Sequence, residues 1–110
     1  MNGTIMNDLN KYQTEAMTFR TPTANEAYAL FNLGAEVGEV LGKFAKAIRD
    51  EVDEETLRQD IKKELGDVVW MVAAVASDFS LTLSEICEHN IDKLNSRKER
   101  NVITGSGDNR

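Results

Sequence analysis

Four carboxylates interrupt the most apolar parts of this chain, two by two. Glu36 and Glu39 break "AEVGEV" at 35–40, and Glu64 and Asp67 break "KELGDVVW" at 63–70. Residues three apart on a helix are surface neighbours, so each pair shares a face. The two motifs are mirror-placed about "DEVDEE" at 50–55. If that segment is the turn of an antiparallel helical hairpin, Glu36 lies level with Asp67 and Glu39 level with Glu64. Carboxylates brought this close repel one another unless they are protonated or share a cation. An all-oxygen set suits a hard divalent ion, Mg²⁺ first and Mn²⁺ as a substitute, and magnesium keeps positions for water or phosphate oxygens. Either motif alone also fits a solvated helix face. The shared level and the apolar flanks are what raise the metal reading beside it.

Cations follow the same pattern. Lys43 and Lys46 stand four and seven residues after Glu39, and Asn90, Lys93 and Arg97 make one stripe further on. A metal cluster beside Lys and Arg is the chemistry of a polyphosphate, the metal bridging some oxygens and the cations holding the rest. Ordinary surface ion pairing explains the lysines equally well. Trp70, three residues after Asp67, could stack on a base, or fill a core or an interface. Other metal chemistries are excluded. A di-iron bundle needs Glu-x-x-His on two helices, but the single histidine, His89, has Ile86 three positions before it. One histidine and one cysteine, Cys87, cannot complete a zinc site.

The elements that must position these residues are helical. Apolar side chains recur every three or four positions, with no strand alternation. Ile5, Leu9, Tyr12, Ala16 and Phe19 mark a first helix, which "RTPT" at 20–23 interrupts. Thr23 with Glu26 reads as a capping box opening a second helix, carrying Leu30, Val37, Leu41, Phe44 and Ile48 and ending near Arg49. Asp53 is the expected N-cap of a third, from Leu57 to Phe79, apolar on more than one face from Val68 to Ala76 and so central or at a subunit interface. Thr82 and Glu85 form another capping box. The fourth helix runs to about Lys98, with Leu83, Ile86, Ile91 and Leu94 expected to face inward. The reading is all-α, an antiparallel four-helix bundle, with one domain over 1–100 and a flexible glycine-rich tail over 101–110.

Composition bounds the partners. A net charge of −6 argues against binding the nucleic-acid backbone or an anionic membrane. No apolar run approaches the ~18 residues of a membrane span, and the N-terminal segment lacks the pattern of a signal peptide. The expectation is a cytoplasmic protein. A 110-residue chain buries a modest core, so self-association would help it.

With these residues in view, the chain resembles the MazG-like nucleoside triphosphate pyrophosphohydrolases. The resemblance rests on "NLGAEVGEVLGKFAKAIRD", "KKELGDVVWMVAAVA" and "LSEICEHNIDKLNSRKERNVITGSGDNR", and "YQTEAMTFRT" extends it toward the N-terminus. It implies an all-α homodimer or dimer of dimers with its active site near the subunit interface. It also implies magnesium-dependent hydrolysis of an NTP or dNTP to the monophosphate and pyrophosphate. Carried over by position, Glu36, Glu39, Glu64 and Asp67 would hold the metal. Lys43, Lys46, Asn90, Lys93 and Arg97 would face the nucleotide or its phosphates, and Arg110 would end a tail that orders over substrate. Glu39 is the carboxylate assigned as general base. Gly34 and Gly38 would keep that helix face slim for a neighbouring helix or the nucleotide. The chain departs from the family pattern at Asn101, where glycine is more usual, and at Ala35. A phosphoribosyl-ATP pyrophosphohydrolase-like enzyme and a non-catalytic helical interaction module are the alternatives.

Overall fold

In the computed structural model, which describes residues 3–110 and their side chains from residue 7 onward, four helices follow one another. They are α1 (Gly3–Met17), α2 (Glu26–Arg49), α3 (Glu54–Asp78) and α4 (Leu83–Glu99). The all-α reading holds, and among the described residues there is no strand. The Ile5 side chain, expected on the apolar face of α1, lies outside the described residues.

Local chemistry sets the helix ends. The Asp53 side chain accepts a hydrogen bond from the Thr56 N–H, opening α3. Thr82 and Glu85 make both bonds of a capping box at α4. At α2 the expected box at Thr23 is replaced. Asn25 is the N-cap, and its side chain accepts from the Tyr28 N–H, because Asn one residue before the helix satisfies the same orphan donor. The C-terminal ends of α2, α3 and α4 share one device. Glu51, Ser80 and Asn101 are left-handed, with φ of 52°, 57° and 60°. The N–H of the next residue returns to the carbonyl five back: Val52 to Ala47, Leu81 to Ala76 and Val102 to Arg97. That is the Schellman closure usually made by glycine. Asn101 therefore turns the chain as a glycine would, since Asn tolerates this region.

Helices α2 and α3 form a long hairpin, and α1 packs against both α3 and α4. The axes of α3 and α4 meet at 101°, so α4 leaves the hairpin and lies with α1. A small core joins Ala29 of α2 to Met71 and Ala74 of α3, with Met17, Leu33, Trp70 and Val75 packed around it. Small residues on α3 (Ala73 at 0% and Ala76 at 3% exposure) let the backbones approach.

The α3–α4 corner is fastened from α1. Buried Gln13 donates from Nε2 to Ser77 Oγ (3.0 Å) and to the Leu81 carbonyl (2.9 Å), and its Oε1 accepts from the Leu83 N–H at 2.8 Å. Arg20 makes a two-pronged ion pair with Asp78, at 2.8 and 2.9 Å. The hydrogen bond to Asp78 raises the Arg20 guanidinium pKa, against an opposing effect of burial.

Two expectations about faces change. Ile91 and Leu94 are each 40% exposed rather than turned inward, because α4 has α1 as its neighbour instead of three other helices. The apolar stripe of α2 (Val37, Leu41, Phe44 and Ile48) is exposed as well. No single helix is long and apolar enough to cross a membrane.

Candidate metal centre and its surroundings

The α2 face turned toward α3 carries Ala29, Leu33, Glu36, Val40, Lys43 and Ala47, all buried or half-buried. This is the i, i+4, i+7 spacing of one helix face, and it includes two charged residues. Glu36 meets Glu64 and Asp67 from α3, with one carboxylate oxygen from each lying within 4.8 Å of the others. The hairpin therefore does what the mirrored motifs require. Glu39, one turn on, is exposed and lies outside that group.

The electrostatics follow from this crowding. Burial pushes the Glu36 carboxyl above its ordinary range. The negative charge of Asp67 adds to this, as do those of Glu64 and Glu39, while a hydrogen bond from Asn32 pulls the other way. That bond is long, 3.4 Å from Asn32 Nδ2 to Glu36 Oε1. Lys43 Nζ stands 3.8 Å from Glu64. The Tyr12 hydroxyl is also pushed up, by burial and then by the charge of Asp67, which puts Tyr12 of α1 beside the same cluster. An oxygen-liganded divalent ion fits this donor set. Octahedral magnesium at ~2.1 Å per ligand spaces its oxygens roughly 3 to 4 Å apart, within the span observed here.

Beside Tyr12 an open cavity of about 560 Å³ is lined by Tyr12, Glu15, Ala16, Phe19 and Trp70. The Trp70 indole N–H donates to the Ala16 carbonyl at 3.1 Å, so its ring is fixed to α1. Sequence reasoning placed Trp70 near the site but missed Tyr12, Glu15 and Phe19 as its neighbours. In the sequence Tyr12 and Phe19 stand in an apolar helical repeat, and the segment "YQTEAMTFRT" carries part of the resemblance with no role for any single residue.

The remaining cations form a second cluster. Asp108 Oδ1 lies 3.3 Å from both Lys93 Nζ and Arg97 Nη2, and the Asp108 carbonyl accepts from Arg97 at 3.0 Å. Those hydrogen bonds hold the Asp108 carboxyl below its ordinary range, Lys93 first and Arg97 second. Arg97 is 5% exposed, the one buried cation among the described residues. Arg110 donates to the carbonyls of Val102, Ile103 and Gly107, while Arg100 donates to the Arg110 carbonyl. The final segment is thus folded onto itself and onto α4. Asn90 is exposed on α4. Among the described residues no hydrogen bond or ion pair joins this cluster to the α2–α3 carboxylates. Lys46 is exposed near the hairpin turn, where its charge acts on Asp50. Among the described residues Gly34 and Gly38 have no neighbour within 4 Å of where a Cβ would sit, so none of them uses the slim face they offer.

A helical hairpin presenting three carboxylates to one point defines a class, the all-α proteins with an acidic centre suited to a divalent cation. Residues 24–102 match the MazG nucleotide pyrophosphohydrolase domain, and the chain belongs to that family. It is similar to the Gene 37 protein of Mycobacterium phage L5, 44% identical over 86 residues, covering 76% of this chain and 75% of the phage protein. No solved structure matches it.

Proposed function

We propose that this protein is a Mg²⁺-dependent nucleoside triphosphate pyrophosphohydrolase, converting an NTP or dNTP to the monophosphate and pyrophosphate. The observation that carries the reading is the convergence of Glu36, Glu64 and Asp67 from two helices, in a chain of the MazG family. These three carboxylates would hold the cation. When bound, it would supply Lewis-acid polarisation of phosphate oxygens and a lowered pKa for a nearby water. Glu39, exposed and outside the group, would accept the proton of the attacking water as the α–β phosphoanhydride opens. Lys43, already drawn to Glu64, would neutralise an oxygen of the departing pyrophosphate.

Lys93 and Arg97 take an anion in this structure, the Asp108 carboxylate, which supports a role in holding phosphate oxygens, with Asn90 on the same helix. Arg110 spends its guanidinium on backbone carbonyls, so its part would be to shape the tail beside them. Lys46 would act at longer range, through its charge.

The reading includes a homodimer. The Cα radius of gyration is 16.7 Å, against about 13 Å for a compact domain of this size. Phe31 (82%), Ile48 (81%) and Leu41 (66%) are openly exposed on α2. A second copy covering that stripe accounts for both observations.

The test is pyrophosphate release from a panel of NTPs, dNTPs and phosphoribosyl-ATP, with and without magnesium. Release from nucleoside triphosphates only when magnesium is present is expected. Exclusive turnover of phosphoribosyl-ATP would move the protein to that specificity. No release from any substrate would leave a non-catalytic helical module.

A further inference from the structure

The cavity beside the carboxylate cluster is built unevenly. Tyr12, Phe19 and Trp70 give it three aromatic walls, and Ala16 gives a small floor between them. Its volume falls within the roughly 300–1,000 Å³ of small-ligand sites. Trp70 follows Asp67 by three residues on α3, so the aromatic wall continues directly from the carboxylates. Tyr12, another wall of the cavity, feels the charge of Asp67. A nucleotide with its phosphates at Glu36, Glu64 and Asp67 would therefore place its base among these rings, and base–aromatic stacking works for every base.

One lining residue breaks that indifference. Glu15, one turn along α1 from Tyr12, is the one charged residue lining an otherwise aromatic and aliphatic cavity. Among the described residues its side chain has neither a hydrogen-bond donor nor an ion-pair partner, and only its backbone carbonyl is used, by the Thr18 hydroxyl and N–H. An ionised carboxylate is acceptor-only. It is matched by a base edge carrying an exocyclic amino group: cytosine N4, adenine N6, or the N1–H and N2 amino pair of guanine. Uracil and thymine present carbonyl oxygens on either side of a single N–H, and these oxygens repel it.

We propose that Glu15 is a specificity-determining residue, accepting a hydrogen bond from the exocyclic amino group of the base, so that the site favours amino-bearing bases over uracil and thymine. The inference rests on the nucleotide reading of the same site, and deepens it.

The pair dCTP and dUTP isolates the effect, because their bases differ only in the edge that Glu15 would meet. A good polar contact to a base edge discriminates by ~1–3 kcal/mol, so the wild type should prefer dCTP roughly 5- to 150-fold in kcat/KM. In Glu15→Gln the amide can donate to the uracil O4 carbonyl, and the preference should collapse or reverse. A ratio unchanged by Glu15→Gln, or a wild type that prefers dUTP, overturns the proposal.

Binding provides a readout independent of turnover. Trp70 is the only tryptophan, so quenching of its emission by dCTP and by dUTP reports stacking directly. If no nucleotide is hydrolysed but dCTP quenches at lower concentration than dUTP, and Glu15→Gln removes the difference, the catalytic reading fails and the role of Glu15 stands. Equal quenching by both nucleotides in both proteins, or none, removes the role of Glu15 even if hydrolysis is observed.

Discussion

Helix α2 departs from an ordinary amphipathic helix in two ways. The face against α3 includes the charged residues Glu36 and Lys43 among Ala29, Leu33, Val40 and Ala47, whereas Val37, Leu41 and Ile48 lie outside that face and are 44% to 81% exposed. A helix normally buries its apolar stripe and solvates its charges. On the proposed reading each of these two features has an occupant. The inner face keeps charges that a cation would neutralise, and the outer face keeps apolar area that a second copy would cover.

The comparison breaks most visibly at the inner face. Replacing Asp67 with alanine removes one of the three converging oxygens, and turnover should fall by about 10³-fold or more, beyond the ~10²–10³ typical of losing one electrostatic contact. Calorimetry should show magnesium affinity falling with it; near-normal turnover and binding would remove the metal assignment. Glu39→Gln separates proton transfer from metal holding. A loss of ~10²–10⁴ in kcat is expected with magnesium affinity kept, and a variant that instead loses the metal would return Glu39 to the ligand set.

The outer face is tested by charge. Leu41→Asp combined with Ile48→Asp should halve the mass measured by light scattering while helicity by circular dichroism is kept. A wild type that is already monomeric would refute the proposed pairing through α2.

The inner face also carries a pH signature. The Glu36 carboxyl is raised above its unfolded value, so between those two values the folded state binds more protons. Stability of the metal-free protein therefore falls as pH rises through that window. Glu36→Gln should melt higher than wild type in a chelator at neutral pH, and the gap should close on acidification. Magnesium should raise the melting temperature of wild type and leave that of the variant unmoved. A wild type that gains stability with rising pH across this window would contradict the assignment.

The smallest effect lies at the helix ends. Glu51→Gly relieves a left-handed residue and should add about 1 kcal/mol, visible as a modest rise in melting temperature. A fall would mean that the Glu51 side chain contributes something beyond its backbone conformation.

Much of this was legible in the sequence because it is written in short-range spacing. Asp53, Thr82 and Glu85 announce helix starts within three residues. The mirrored ExxE and ExxD specify a level across a hairpin with no knowledge of its packing. The corner between α3 and α4 was not legible. It depends on Gln13 meeting residues 77, 81 and 83, and a glutamine in a helix has no local signal for a partner more than 60 positions away. The same absence hid the exposure of Ile91 and Leu94: periodicity identifies an apolar face but not whether anything covers it. Asn10 was silent too, although its side chain accepts from the Ser84 N–H at 3.1 Å. Glu15 gave no sign either, since a carboxylate at a helix edge looks solvated until aromatic rings gather beside it.

Helix α1 works as a splint. One side of it, through Gln13 and Asn10, is pinned to the corner where α4 begins. The side carrying Tyr12 and Ala16, with Phe19 just beyond the helix end, walls the aromatic cavity, and the Trp70 indole ties that wall back to α3. A rigid rod pinned on both flanks cannot roll to widen the cavity without pulling those hydrogen bonds apart. The breadth of the cavity is therefore set from behind, by a glutamine that never faces it.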